Sequence, residues 1–270
     1  SRAFARAGLL GNPSDGYFGK TISICVRNFG ARVSMFQTPE LHIEPQDQDQ
    51  NTYKNIYYLY ESIKLHGYYG GERLIKASIK KFLEYCEAQN ISLKNKNFTV
   101  RYQSNIPRQV GLAGSSAIIT AMMKALMQFY EVEIPREFLP TLVLQTEKEE
   151  LGINAGLQDR VIQVYEGCVY MDFEKKIVQE KGYGRYKSMD PSLLPRLYIA
   201  YRLDLGKISG HVLNDIRSRY DAGDPEVVAT LEEIAGLVDS GRKAIEKMDE
   251  PALSECINRN FDLRRKIMNI

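Results

Sequence analysis

Two adjacent hydroxyls follow a glycine-flanked loop in the run Gly111, Leu112, Ala113, Gly114, Ser115, Ser116 and Ala117, with Pro107 just upstream. Glycines let a backbone approach a ligand closely, and where such a loop opens a helix, the first-turn N–H groups point at any anion in the loop. Phosphate is the natural guest. The serines can cap the helix or reach a phosphate-bound magnesium; the plainer reading is an ordinary serine N-cap after a glycine turn. A second candidate is Glu147. In a helix over residues 138–151, Leu139, Val143, Glu147 and Leu151 form one row four residues apart, so the carboxylate lies on an apolar stripe. It then needs a metal ion or a buried Arg or Lys partner, and the partner is the simpler account. Asp159 is the third candidate. It follows a glycine turn and precedes Arg160, Val161 and Ile162, so it stands where a short helix would begin and its dipole would keep the carboxylate ionised. Taken alone it is equally a helix cap.

A competing phosphate loop at residues 14–21 nearly fits G-x-x-x-x-G-K-[ST], with Ser14 in the first glycine's place. That motif works only as strand, loop and helix, and here the alternating run Ile22, Ile24 and Val26 follows Thr21. The motif is therefore rejected, leaving Lys20 as a solvated lysine or a cation near a site.

The elements that would position these residues mix helices and strands. Residues 2–10 read as a strand feeding a turn-rich loop, and alternation predicts two further strands, at residues 22–27 and 31–36. Ile75, Ile79, Phe82, Leu83 and Cys86 define one face of a surface helix, with Lys76, Lys80 and Lys81 opposite. Residues 97–102 predict a strand, and residues 115–130 are apolar nearly all round, the mark of an interior helix. Residues 167–173 predict a strand followed by a charged hairpin, and residues 197–201 another strand. Helices then follow, with Asp224-Pro225 and Asp249-Glu250-Pro251 as starts. A domain boundary falls in residues 175–195, dividing the chain into residues 1–187 and 188–270.

Length and composition agree with a globular α/β protein. The chain has 270 residues, 44% of them apolar, and 36 basic against 34 acidic side chains leave a charge of +2, with no basic block for nucleic acid. No apolar run approaches a membrane span or a signal peptide. Cys25, Cys86, Cys168 and Cys256 form no C-x-x-C pair, and His42, His66 and His211 no zinc arrangement, so a transition-metal site is not expected. The cysteines read as small core residues in a reducing cytosol, and a cytoplasmic location is expected.

Together the three segments resemble the GHMP kinase superfamily, named for galactokinase, homoserine kinase, mevalonate kinase and phosphomevalonate kinase. Arg6-Ala7-Gly8-Leu9-Leu10-Gly11 is similar to the family's first motif, and residues 107–117 to its second, P-x-x-x-G-L-x-[GS]-S-S-A. Residues 147–159 are similar to the segment that ends in a glycine turn and the catalytic aspartate. Within the superfamily, the runs ARAGLLGNPSDGYFGKTIS, GYYGGERL, NIPRQVGLAGSSAI, AGLQDR and FDLRR look most like the plant-type glucuronokinases. The resemblance implies a two-domain α+β fold, with an N-terminal domain like ribosomal protein S5 and a C-terminal α+β domain. It implies Mg²⁺–ATP on Pro107 and Gly111 through Ala117, Ser116 and Glu147 as metal ligands, Asp159 facing the sugar hydroxyl, and Arg6 stabilising charge near the reacting oxygen. The implied reaction gives glucuronate 1-phosphate, an entry to UDP-glucuronate salvage. No nucleic-acid or membrane partner is implied, and the oligomeric state is left open.

Two departures bear on substrate and activity. The galactokinase pattern has a Glu after the first-motif glycine, near the sugar C6 hydroxyl, and here that position is Asn12. A Glu would repel the C6 carboxylate of a uronic acid, whereas an amide can donate to it, and Asp15 still suits sugar hydroxyls. Arg108, Arg160 and Lys20 are candidate cations for the carboxylate, and Asn12, Asp15 and Arg160 the expected substrate contacts. The second departure is the family's third, glycine-rich motif, which is not found before Ile270; Gly206 and Gly210 do not supply it. The second domain is therefore expected to be partial in this sequence. Galacturonate, galactose or arabinose as acceptor, or a pseudokinase that only binds nucleotide and sugar, remain the alternatives.

Overall fold

The computed structural model describes residues 1–44, 70–108, 110–153, 155–201 and 209–268. Gln109, Asn154 and Gly206 of the sequence reading lie outside the described residues, as do His66, Tyr68 and Tyr69.

Among the described residues, six strands form one sheet: β1 (Arg2–Leu10), β2 (Lys20–Thr38), β3 (His42–Glu44), β4 (Asn97–Ser104), β5 (Cys168–Asp172) and β6 (Arg185–Met189). The two strands expected at residues 22–27 and 31–36 are one strand, β2. What looked like a turn between them is a bulge: Phe4 of β1 faces Gly30 while Ala5 faces Val26, so extra β2 residues are accommodated without reversing the chain. The first half of β2 pairs with β5 and the second with β4, so this strand carries the whole sheet.

Among the described residues, eight α-helices accompany it: α1 (Gly71–Ala88), α2 (Gly114–Tyr130), α3 (Leu139–Gln145), α4 (Gln158–Tyr165), α5 (Lys175–Lys181), α6 (Ser209–Asp221), α7 (Pro225–Glu246) and α8 (Glu250–Met268). The apolar α2 lies in the interior, with Ala117, Ile119, Ala121, Met122 and Met123 shut off from solvent. It shares the main core with α1, α3 and β4. Successive residues of β2 and β5 face opposite sides of the sheet. Ile22, Ile24 and Cys168 pack with Val238 of α7 and Leu253 of α8, whereas Cys25, Val169 and Met171 pack with Val161 and Ile162 of α4.

Three local expectations are corrected. The charged segment after β5 does lead to an antiparallel partner, β6, but through the helix α5 rather than a tight turn, because Glu174, Lys175 and Lys176 lead into five further residues of helical chain before Gly182 closes it at φ 76°. Residues 197–201 pair with no strand among the described residues, and Tyr198 is 86% exposed, so their alternation serves no sheet. Lys81 leaves the solvent face and is buried among Glu84, Glu149 and Glu150, which supply the charge a buried ammonium needs. Asp224 accepts hydrogen bonds from the N–H groups of Glu226 (3.0 Å) and Val227 (3.4 Å), capping α7 as its sequence suggests.

Candidate active site

The loop from Gly111 enters α2 through Ala113, which adopts the left-handed conformation (φ 59°, ψ 49°) as its N-cap. Neither serine is the cap. Alanine has no side-chain acceptor, so the first turn of this helix keeps donors available to an anion. Ser116 Oγ turns back to donate to Ala113 O at 3.2 Å. Gln163 Nε2, from α4, donates to the same carbonyl at 2.8 Å and fixes the loop from beneath.

Arg6 joins this loop to the acid. On β1 its backbone N–H donates to Leu112 O (3.3 Å) and its Nη1 to Gly111 O (2.9 Å), while its Nε donates to Asp159 Oδ1 at 2.5 Å. Asp159 stands in the first turn of α4, and its other oxygen, Oδ2, accepts from Arg160 Nη1 at 3.0 Å. Its side chain is 18% exposed and that of Arg6 16%, enough for a ligand to reach both. Burial alone would push the Asp159 carboxyl up; Arg6 and then Arg160 more than reverse this and hold it below the usual aspartate range.

Beyond Gln145 the chain widens into a π-turn over Thr146–Glu150, a distortion that favours functional sites. It delivers Glu147 into the interior, where Arg160 Nε donates to its Oε2 at 2.6 Å and Nη2 bonds the same oxygen. The pair is almost sealed, with side-chain exposures of 1% for Glu147 and 5% for Arg160. Burial pushes the Glu147 carboxyl up, against the pull of Arg160. Burial would lower the Arg160 guanidinium, but Glu147 and Asp159 outweigh it and hold the group charged. Arg160 Nη1 also donates to Gly156 O at 3.0 Å, so one guanidinium ties the π-turn, the glycine turn and Asp159 together.

The neighbouring side of the site is built from the loop after β1. Asp15, in the 3₁₀ turn Ser14–Tyr17, accepts from the backbone N–H of Gln158 at 3.2 Å. Gly156 makes room for it: a Cβ there would lie 2.1 Å from Asp15 Oδ2. Burial, and after it the negative charge of Asp159, pushes the Asp15 carboxyl up to about 6. An unfolded aspartate releases its proton near 3.9, so the folded state holds this proton longer and loses stability as pH rises from about 4 to about 6. Asp15→Asn removes that loss. Thermal denaturation should show the variant gaining Tm relative to wild type between about pH 4 and pH 7.5, whereas a constant difference would contradict the assignment.

Asn12 Nδ2 donates to Gln158 Oε1 (3.1 Å), leaving its second amide hydrogen for another acceptor. Gln158 Nε2 in turn donates to Ser23 Oγ (2.7 Å), and Asn260 of α8 accepts from Gly11 N (2.6 Å) and donates to Asn12 O (3.3 Å). Gln158, Gln163 and Asn260 were missed in the sequence, although each is a buried amide on an otherwise apolar helix face. Of the candidate cations, Lys20 is taken by Asp239 Oδ2 at 2.6 Å, Arg160 by Glu147, and Arg108 lies exposed at the loop. Lys20 lies in β2, which confirms that a strand, not a helix, follows the rejected phosphate motif.

A magnesium ion suits the oxygen donors available. Both bonds from Arg160 fall on Oε2 of Glu147, and Ser116 adds a hydroxyl. No cluster of three His, Cys, Asp or Glu occurs among the described residues, and magnesium, which keeps water and phosphate ligands, does not need one.

Comparison with known proteins gives this geometry a family. The GHMP kinases N-terminal domain matches residues 73–167. Glucuronokinase 1 of Arabidopsis thaliana is 44% identical over 269 residues, 98% of this chain and 74% of that protein. The chain belongs to the glucuronokinases, within the GHMP kinases. It is a kinase, transferring a phosphoryl group to a hydroxyl acceptor. The fold agrees at much lower identity. Methanococcus jannaschii mevalonate kinase superposes with a TM-score of 0.65 at 18% identity, covering 99% of this chain and 78% of that one. Lactococcus lactis galactokinase, solved with galactose, gives 0.72 at 12%, covering 100% and 75%. Among the described residues of this GHMP kinase, no helix is long and apolar enough to cross a membrane.

Proposed function

We propose that this kinase transfers the γ-phosphoryl group of Mg²⁺–ATP to the C1 hydroxyl of D-glucuronate in the cytoplasm, giving glucuronate 1-phosphate and ADP. The observation that carries the reading is the double role of Arg6, which bonds both the Gly111 carbonyl of the phosphate loop and the Asp159 carboxylate. A triphosphate resting on residues 111–117, at the mouth of α2, then lies within one side chain of the acid that meets the acceptor. The near full-length likeness to Arabidopsis glucuronokinase 1 supports the sugar acid as acceptor.

In the transfer, the C1 oxygen forms the new bond to γ-phosphorus as the bridge to the β-phosphate breaks, and ADP leaves. Asp159 orients the hydroxyl and receives its proton late, because a carboxylate held below the ordinary aspartate range is a weak base. Arg6 and the α2 N-terminus stabilise the charge that builds on the transferring group. Ser116 and Glu147 would hold magnesium, which neutralises phosphate charge when bound. Asp15 and Asn12 meet the sugar, and Arg160 positions Asp159. Residues 188–270 are read as part of the family's second domain.

The test is turnover of the full-length protein with ATP and Mg²⁺ on glucuronate, galacturonate, galactose, arabinose and mevalonate. Glucuronate should give the highest kcat/KM. Preference for galactose would refute the assignment, and ATP binding without turnover on any of them would favour the pseudokinase.

A further inference from the structure

Among the guanidinium groups around this site, Arg6, Arg160 and Arg264 differ in their partners, and the first two have acids. Arg6 is matched by Asp159, and Arg160 by Glu147 and Asp159. The third belongs to Arg264 on α8, whose Nε is shut off from solvent and has no hydrogen-bond partner among the described residues. No acid among them pairs with it. A guanidinium nitrogen buried without a partner is costly in a folded protein, and where the rest of the half-buried group can still be reached a bound ligand is the natural partner.

The position of Arg264 says which ligand group that is. Asn260 precedes it by one helical turn, so both side chains leave the same face of α8. Asn260 is buried against the end of β1, holding Gly11 N and Asn12 O. This clamp sets Arg264 alongside β1, on the side of the site where Asn12 and Asp15 meet the sugar. It lies near enough to Arg6 that the two positive charges repel, and burial first, then Arg6, pulls the guanidinium below the usual arginine range. The phosphate end has its own donors, in the α2 N-terminus and Arg6. An anionic group on the sugar itself is what remains to be received.

We propose that Arg264 is the specificity residue of this kinase, its guanidinium receiving the C6 carboxylate of the sugar acid while Asn12 donates its remaining amide hydrogen. The planar fork of arginine matches a carboxylate through two parallel hydrogen bonds, which a lysine cannot reproduce. The inference rests on the reading of glucuronate as acceptor, and it assigns the cation which that reading lacked.

The experiment compares wild type, Arg264→Gln and Arg264→Lys as full-length proteins. It measures kcat and KM on glucuronate and on D-glucose, which differs only in carrying a hydroxymethyl group for the carboxylate, together with glucuronate affinity by calorimetry and Tm. Arg264→Gln should raise KM and Kd for glucuronate by about 10–100-fold and lower the preference for glucuronate over glucose by a similar factor. Arg264→Lys should fall between the two. Unchanged KM and Kd for glucuronate would overturn the proposal. So would an equal loss of kcat on both sugars with a raised KM for ATP, which would assign the arginine to phosphate. Should Arg264→Gln fail to fold, Arg264→Lys decides, since it keeps charge and bulk, and a wild-type KM in it overturns the proposal. Wild type inactive on glucuronate would sink the functional reading instead; wild type active with Arg264→Gln unaffected sinks only this inference.

Discussion

Asp159→Asn lowers kcat on glucuronate by about 10²–10⁴-fold and leaves ATP affinity nearly intact. The substitution keeps the shape of the side chain but removes its charge and its capacity to accept the hydroxyl proton. Each carboxylate oxygen is held by a different guanidinium, Oδ1 by Arg6 and Oδ2 by Arg160, so the acid is presented in one orientation. An amide would turn an N–H group toward one of those cations and lose that orientation as well. The phosphate loop does not depend on the carboxylate, because Arg6 holds Gly111 and Leu112 and Gln163 holds Ala113. Steady-state kinetics beside nucleotide titration separates the two effects. A variant with wild-type kcat and only a raised KM would reduce Asp159 to a binding residue.

Glu147→Gln produces the largest loss of stability, about 3 kcal/mol. The pair it breaks is almost fully enclosed, so Arg160 would keep its charge with only Asp159 to answer it. A neutral amide cannot return the attraction that holds the guanidinium, and water has little access. Activity should fall too, since Arg160 ties Asp159 to the Gly156 carbonyl. Denaturant titration measures the loss, and a companion variant identifies its cause. Glu147→Leu combined with Arg160→Met removes both charges and should recover much of the stability while recovering none of the activity. If the single variant is as stable as wild type, the ion pair is not what holds the π-turn to α4.

The glycine loop at the mouth of α2 and the acid that Arg6 joins to it could be picked out in the sequence because both depend on local chain chemistry. A glycine loop before an apolar helix, and an acid after a glycine turn, keep the same meaning in any fold. The strand pairing was less legible. Alternation located both halves of β2, but Asn28, Phe29 and Gly30 look like a turn, and only the register against β1 makes them a bulge. Lys81 misled for a related reason: helical periodicity assigned it to solvent, whereas the acids that bury it, Glu149 and Glu150, arrive from a distant π-turn. That same turn departs from the helical spacing that first drew attention to Glu147, yet the residue is buried, and its partner is the arginine that simple charge reasoning favoured. Gln158 and Asn260 act across the chain, on contacts that no local pattern encodes.

Phosphorus and proton NMR of the product formed from ATP and glucuronate by the full-length enzyme tests the central claim most directly. If Asp159 meets the anomeric hydroxyl beside the triphosphate, the sugar phosphate carries its phosphorus on C1, coupled to the anomeric proton. Phosphorus on any other sugar carbon, or ADP released with no sugar phosphate formed, would contradict the arrangement of loop, arginine and acid described above.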